Sequence, residues 1–170
     1  MKGRDGKFYA VVAGKIDKTA NPFWMWGTTA TSSASVLTID PQTYATTERT
    51  LAIEGLPMVS VGNGLYGCMA CASATSDELF IKQEGYSATQ IYRYDCQTGK
   101  TSVFATTSRS LAKYMTATPD GLLYVPRTDF YHGYTEVYRI SDGTRMTGVE
   151  SRIGKVAGDG GIVSTYSFAE

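Results

Sequence analysis

Histidine is almost missing from this chain: His132 is the only one in 170 residues. Constellations that need two or more imidazoles, whether hydrolytic or metal-holding, are therefore excluded. Proline is scarce at five residues, and cysteine stands at three. One cysteine stays unpaired in any disulfide scheme, so the disulfide-framed class of small domains does not fit. Charge of one sign is not in excess either, with sixteen basic and sixteen acidic residues. That balance leaves no electrostatic footprint for nucleic acid or for an anionic membrane surface. No apolar run approaches the roughly 18 residues of a membrane helix, so no membrane span is expected. The opening "MKGRDGKFYAVVAGK" has only a short apolar stretch, Phe8 to Ala13. This falls below the roughly 7–15 residues of a signal-peptide core and reads as a strand. Either the protein is cytoplasmic or a leader lies outside this chain. A glycine-rich phosphate loop, a serine nucleophile elbow and a kinase-like motif set are also missing.

What the chain does have is threonine, tyrosine and glycine, at 22, 12 and 18 residues. The first two suit pleated strands and the third suits tight turns, so an all-β fold is expected. The best helix candidate is short, around Ser108 to Met115, and reads equally well as the approach to a strand. At 170 residues the chain is long enough for one domain with a sizeable core.

A turn followed by a tyrosine-bearing strand recurs. It appears as "RDGKFYAVVAG" (4–14), "GNGLYGCMACAS" (62–73) and "PDGLLYVPRTDF" (119–130), with a weaker copy "GDGGIVSTYSF" (158–168). Tyr9, Tyr66 and Tyr124 fall 57 and 58 residues apart. Asn-Gly and Asp-Gly supply the positive backbone angles of tight hairpins. Each of the first three copies is followed by strand, turn and strand: "SVLTIDPQTYATTERTLAI" (35–53), "QIYRYDCQTGKTSVFAT" (90–106) and "EVYRISDGTRMTGVES" (136–151). The unit is a four-stranded antiparallel meander with strands A to D, and repeated meanders of this kind are the signature of a β-propeller. The competing reading is a β-sandwich with coincidental turns. On the propeller reading, residues 1–170 form a single domain of three to four blades in a partial ring. The units run over about 1–55, 56–110, 111–152 and a partial 153–170.

"TPDGLLYV" followed by "TEVYRISDGTRM" resembles the bacterial YVTN-type propellers, and "YRYDCQTGKTSVF" fits the same pattern. "DFYHGYTEVYRISDGTRM…GKVAGDGGIV" is similar to the last blades of propeller lipoproteins on the surface of gut bacteria. The resemblance implies a periplasmic or cell-surface protein of the kind that binds cobalamin or glycans beside outer-membrane transporters. Some YVTN-like propellers are lyases or lactonases, which gives the alternative of an enzyme using His132 and a divalent metal. The blade count stops near half of a seven-bladed ring. The open ends then predict self-association, or pairing with missing blades of a longer chain.

Strand alternation places the A–B and C–D turns at one end and the B–C loops at the other. Those loops read as long: about Gly14–Ala34, Ala74–Ala88 and Asp129–Tyr134. They carry the aromatics of "NPFWMWGTT", Phe80, Tyr86 and "DFYHGY". Candidate ligand contacts are therefore Trp24, Trp26, Tyr86, Tyr131, His132 and Tyr134, because Tyr and Trp combine an apolar body with a donor. The bland reading packs these rings under their own loops, which suits Phe23 and Phe80 best. Arg127, beside the third loop, with Arg93 and Arg139 on the C strands, can hold a carboxylate or phosphate, or else pair with a nearby Asp or Glu. Asp129 and Glu136 flank His132 as a general-acid or cation reading. The ligand expected is a small molecule, a glycan or another protein, with no catalytic residue, cofactor or metal assigned. Cys68 and Cys71 form "CMAC" on one strand, where residues three apart point to opposite faces. With Cys96 in a turn far from His132, a zinc site is disfavoured and the thiols read as buried. Asp40, Asp95 and Asp142 recur at the C–D turns and read as caps on backbone amides.

Overall fold

The structure, a computed structural model, describes residues 1–12, 33–53, 56–57, 69–84, 88–108, 115–128, 133–146, 153–156 and 162–165. Among them every regular element is a strand. The first sheet joins β1 (Phe8–Val12), β2 (Ser35–Ile39) and β3 (Thr46–Thr50), all antiparallel. Two short strands follow, β4 (Ala52–Ile53) and β5 (Leu56–Pro57). The second sheet is a meander of β6 (Met69–Ala72), β7 (Glu78–Glu84), β8 (Ala88–Asp95) and β9 (Thr101–Ser108). β4 adds to its outer strand in parallel, with Ile53 opposite Thr101. The third sheet is another meander, β10 (Thr116–Ala117), β11 (Leu122–Thr128), β12 (Gly133–Arg139) and β13 (Arg145–Met146). β14 (Ile153–Val156) pairs with β15 (Ile162–Thr165). The all-β expectation holds, as several antiparallel sheets.

The second meander is assembled differently from the sequence reading. The stretch expected as a long loop, 74–88, holds all of β7, and only residues 85–87 separate that strand from β8. The reason lies in "LFIK". Leu79, Phe80, Ile81 and Lys82 are all buried, so the strand lacks the polar alternation of a one-sided sheet. Backbone bonds set the equivalence between sheets. The N–H groups of Gly3, Ser73 and Thr118 donate to the carbonyls of Lys7, Glu78 and Leu122, at 2.8, 2.8 and 2.9 Å. Phe8, Leu79 and Leu123 therefore correspond, and so do Tyr9, Phe80 and Tyr124. The expected turn at Asn63–Gly64 and Tyr66 lie outside the described residues.

Three sheets stack face to face. Tyr9 and Val36 of the first sheet meet Leu79, Ile81, Tyr92 and Tyr94 of the second in one apolar core. Phe80 and Ile91, on the other face of the second sheet, meet Leu123, Val125, Tyr138 and Ile140 of the third. The register explains the division: Leu79 pairs with Tyr94 and Ile81 with Tyr92, while Phe80 pairs with Arg93. Cross-strand partners share a face, so odd positions of β7 look one way and even positions the other. Burying each of these large side chains contributes about 1.5–3 kcal/mol.

The C–D turns are three copies of one structure. The N–H groups of Tyr44, Gly99 and Gly143 donate to the carbonyls of Asp40, Asp95 and Arg139, each at 2.8 Å. The residue closing each turn is left-handed, with φ of 57° at Tyr44, 76° at Gly99 and 73° at Gly143. Arginines tie successive sheets at these turns. Arg49 Nη1 of the first sheet donates to the Gln97 carbonyl of the second at 3.0 Å. Arg93 Nη2 of the second donates to the Ile140 carbonyl of the third.

Candidate functional site

Where the second and third sheets meet, at the end carrying the turns, a groove of about 610 Å³ opens. Its walls are the β6–β7 turn (Thr75, Ser76, Glu78), the β10–β11 turn (Pro119 to Leu122) and the start of the β12–β13 turn (Arg139 to Ser141). Each wall is where it is because a hairpin must close there. The groove exists because two sheets stack with those hairpins side by side. Arg93 lies at the back.

Both arginines of the groove face a carboxylate. Arg93 Nε lies 3.5 Å from Glu78 Oε1, and its guanidinium carbon sits 4.9 Å from the Phe104 ring centre. Glu78 Oε2 also accepts from the Ser76 hydroxyl at 2.7 Å. Arg139 Nη1 pairs with Asp142 Oδ2 at 2.8 Å and remains about half exposed. Asp120 accepts from the Thr118 hydroxyl. Of the two readings of Arg93 and Arg139, the ion-pair reading is the one seen. Donors, acceptors and hydroxyls thus line a groove with no excess of either charge, over apolar ground at Pro119, Leu122 and Ile140. A second hollow of about 690 Å³ lies between β4 and the start of β9, lined by Ala52, Ile53 and Thr98 to Val103. It brings only one charged side chain, Lys100, and no cluster.

The groove is at the end opposite to the B–C connections. Trp24, Trp26, Tyr86, Tyr131 and His132 lie outside the described residues. Arg127 and Tyr134 fall within β11 and β12, where they are register partners. Glu136, expected to flank His132, is buried. It accepts from the Tyr138 hydroxyl at 2.8 Å and pairs with Arg145 at 3.0 Å, so its carboxylate serves the packing of the third sheet.

Burial pushes the Cys71 thiol up to about 12 and the Cys96 thiol to about 11. Both stay protonated at neutral pH, which leaves them unreactive and poor ligands. The strand register puts Cys71 opposite Phe80, facing the second core. Among the described residues no three His, Cys, Asp or Glu side chains gather as a metal site. The C-D turn aspartates cap as expected. Asp40 Oδ1 accepts from the N–H of Gln42 and Thr43, and Asp95 Oδ1 from Gln97 and Thr98. Asp142 sits three residues further into its turn and takes the Thr144 N–H instead. These bonds hold all three carboxyls below the usual carboxylate range.

The sequence reading did not single out Glu78, Asp120, Ser76 or Ser141 as lining residues. They come from three separate turns, and only the stacking of sheets unites them. No family model, curated protein or solved structure matches this chain.

Proposed function

We propose that the chain is a non-enzymatic binding module of β-propeller type, in which each meander serves as a blade. Support comes from three face-to-face sheets with one repeated C–D turn, and from the YVTN-like motifs in β10–β13. In this reading the groove between blades takes a hydroxyl-rich, uncharged small molecule such as a glycan. The observation that carries it is the groove's chemistry. Glu78, Asp120, Arg93 and Arg139 offer acceptors and donors, with both arginines paired to carboxylates, beside apolar Pro119, Leu122 and Ile140. A phosphate or carboxylate ligand needs unmatched positive charge, whereas a sugar needs alternating donors and acceptors beside an apolar face. The volume lies within the roughly 300–1,000 Å³ of small-molecule sites. The aromatic B–C connections, with Trp24, Trp26, Tyr86, Tyr131, His132 and Tyr134, supply a second contact surface at the other end. A periplasmic or cell-surface location follows from the same resemblance.

Saturation-transfer NMR with a panel of neutral and acidic oligosaccharides tests the groove. A neutral sugar is expected to bind, and Asp120→Asn and Arg139→Met are each expected to weaken it while the fold is retained. Binding that ignores both substitutions, or that needs an anionic sugar, refutes the assignment.

A further inference from the structure

The hollow beside β9 lies where that strand has only a short partner. β4 is two residues long and meets β9 at one pair, Ile53 with Thr101, whereas β9 runs on to Ser108. Ala52 and Ile53 line it from β4, and residues 98–103 line it from the β8–β9 turn and the start of β9, around about 690 Å³. That volume lies within the roughly 300–1,000 Å³ of small-molecule sites. Ala52, Ile53 and Val103 supply apolar surface, and Val103 is 51% exposed. Thr98, Thr101 and Ser102 supply hydroxyls, and Lys100 supplies the one charge.

The turn does not need that charge. The residue after the left-handed position is Ala45 in the first sheet and Thr144 in the third. What the turn uses of Lys100 is backbone: its N–H donates to Thr98 Oγ1 at 3.2 Å, and its carbonyl accepts from the Asp95 N–H at 2.9 Å. The ion pairs described above and that of Lys7 with Asp5 do not include Lys100. The carboxylates of this turn end, Asp77 and Asp95, hold Gln97 and Thr98 and do not line the hollow. Thr101 adds a second, independent observation. It is 4% exposed, and its hydroxyl has no hydrogen-bond partner. The matching residues, Thr46 and Arg145, are exposed, so a buried polar group at this place is peculiar to the second sheet. An unpaired buried hydroxyl is costly, and here it belongs to a residue on the wall of the hollow.

We propose that this hollow binds a small monoanionic amphiphile, a carboxylate on a short apolar body. The carboxylate pairs with the Lys100 ammonium and accepts from the Thr101 hydroxyl, and the body lies along Ile53 and Val103. One lining cation matches one negative charge, and a charge-assisted bond to a carboxylate is the strong kind. The apolar residues favour a ligand with a tail over a bare inorganic anion. The groove between the second and third sheets has the opposite character, since its arginines already face carboxylates. The two sites are lined by different residues, so this proposal does not depend on the sugar-binding reading.

Amide NMR titration of the full 170-residue chain with hexanoate tests it. Shifts are expected at residues 52–53 and 98–103, with a Kd of about 1 mM. Hexanamide, which lacks the charge, and acetate, which lacks the tail, are each expected to bind at least about tenfold more weakly. Lys100→Met, at an exposed position, is expected to weaken hexanoate about tenfold with an unchanged melting temperature. Thr101→Val is expected to weaken hexanoate about threefold while leaving the melting temperature unchanged or raised, because it removes a hydroxyl that nothing in the chain satisfies. A purely structural role for Thr101 does not weaken binding and spare stability together. The absence of shifts at about 20 mM hexanoate overturns the proposal. So do shifts confined to other residues, hexanamide binding as well as hexanoate, or undiminished binding by Lys100→Met.

Discussion

Phe8, Leu79 and Leu123 hold the same place in three sheets of one design, yet the first is 44% exposed and the other two are fully buried. The difference is not written in the side chains, which are apolar in all three. It comes from what lies in front of each sheet. A strand pattern states which face wants to be covered, and only the stacking states whether it is. The same holds at the C–D turns. Glycine closes the turn where a preceding sheet presses on it, at Gly99 and Gly143, and tyrosine closes it in the first sheet, where Tyr44 is 81% exposed.

The largest effect should come from cutting into the covered copies of this position. Leu79→Ala and Leu123→Ala are each expected to cost about 2–5 kcal/mol, because the neighbouring sheet cannot collapse fully into the space left. Phe8→Ala should cost under about 1 kcal/mol in the monomer, since most of its ring is already in water. Urea unfolding of the dilute protein measures all three. Similar costs for Phe8 and Leu123 would break the comparison and show the first sheet to be covered within one chain.

The arginine ties differ in the same sense. Arg93 bonds the Ile140 carbonyl, faces Glu78 and lies over Phe104, whereas Arg49 reaches the Gln97 carbonyl from an exposed strand. Arg93→Met is expected to cost about 1.5–3 kcal/mol, the worth of a partly buried bond from a charged donor. Arg49→Met should cost under about 1 kcal/mol. Equal losses would mean that the tie at the exposed turn is as sheltered as the one between the second and third sheets.

At the turns the expected signs oppose. Tyr44→Gly should stabilise the monomer by about 0.5–1 kcal/mol by releasing left-handed strain, with part of the gain lost to the flexibility of glycine when unfolded. Gly143→Ala should destabilise by about 1–3 kcal/mol, because it adds both that strain and a Cβ against a backbone oxygen. A destabilising Tyr44→Gly would show that the ring packs within its own chain.

The sequence made part of this visible. The C–D turns could be read from "IDPQTY", "YDCQTG" and "ISDGT", because the turn needs a cap and a left-handed residue, and both have chemical signatures. The third meander was legible for the same reason, with polar and apolar residues alternating around an Asp-Gly turn. β7 was not. "LFIK" is buried on both faces, so it shows no period, and "GNGLY" at 62–66 offered a more conventional turn than the one that closes at Ser73–Glu78. The groove was less legible still. Glu78, Arg93, Asp120 and Arg139 are spread over four segments, and nothing local in any of them marks a shared wall. Arg93 and Arg139 were noticed as charged groups, but the partners that neutralise them come from the tertiary arrangement.

The smallest effect concerns pH, where the two ends of the scale report different parts of the comparison. Burial raises the Cys71 and Cys96 thiols and the Tyr9, Tyr92, Tyr94 and Tyr138 phenols, most of them in the cores between sheets. The folded protein keeps these protons when the unfolded chain gives them up. Stability should therefore fall as pH rises past the unfolded values of about 8.5 for thiols and about 10 for phenols. The acid side belongs to the turns. Asp40, Asp95 and Asp142 have lowered values, so their contribution is present above about pH 3.9 and is lost as pH falls through the folded values. All three are near the surface, so the acid loss should be shallow. Asp95 takes two backbone N–H groups whereas Asp142 takes one. Melting curves between pH 2 and pH 5 should consequently flatten more for Asp95→Ala than for Asp142→Ala. Equal flattening would mean that the ion pair with Arg139 does for the third turn what a second amide does for the others.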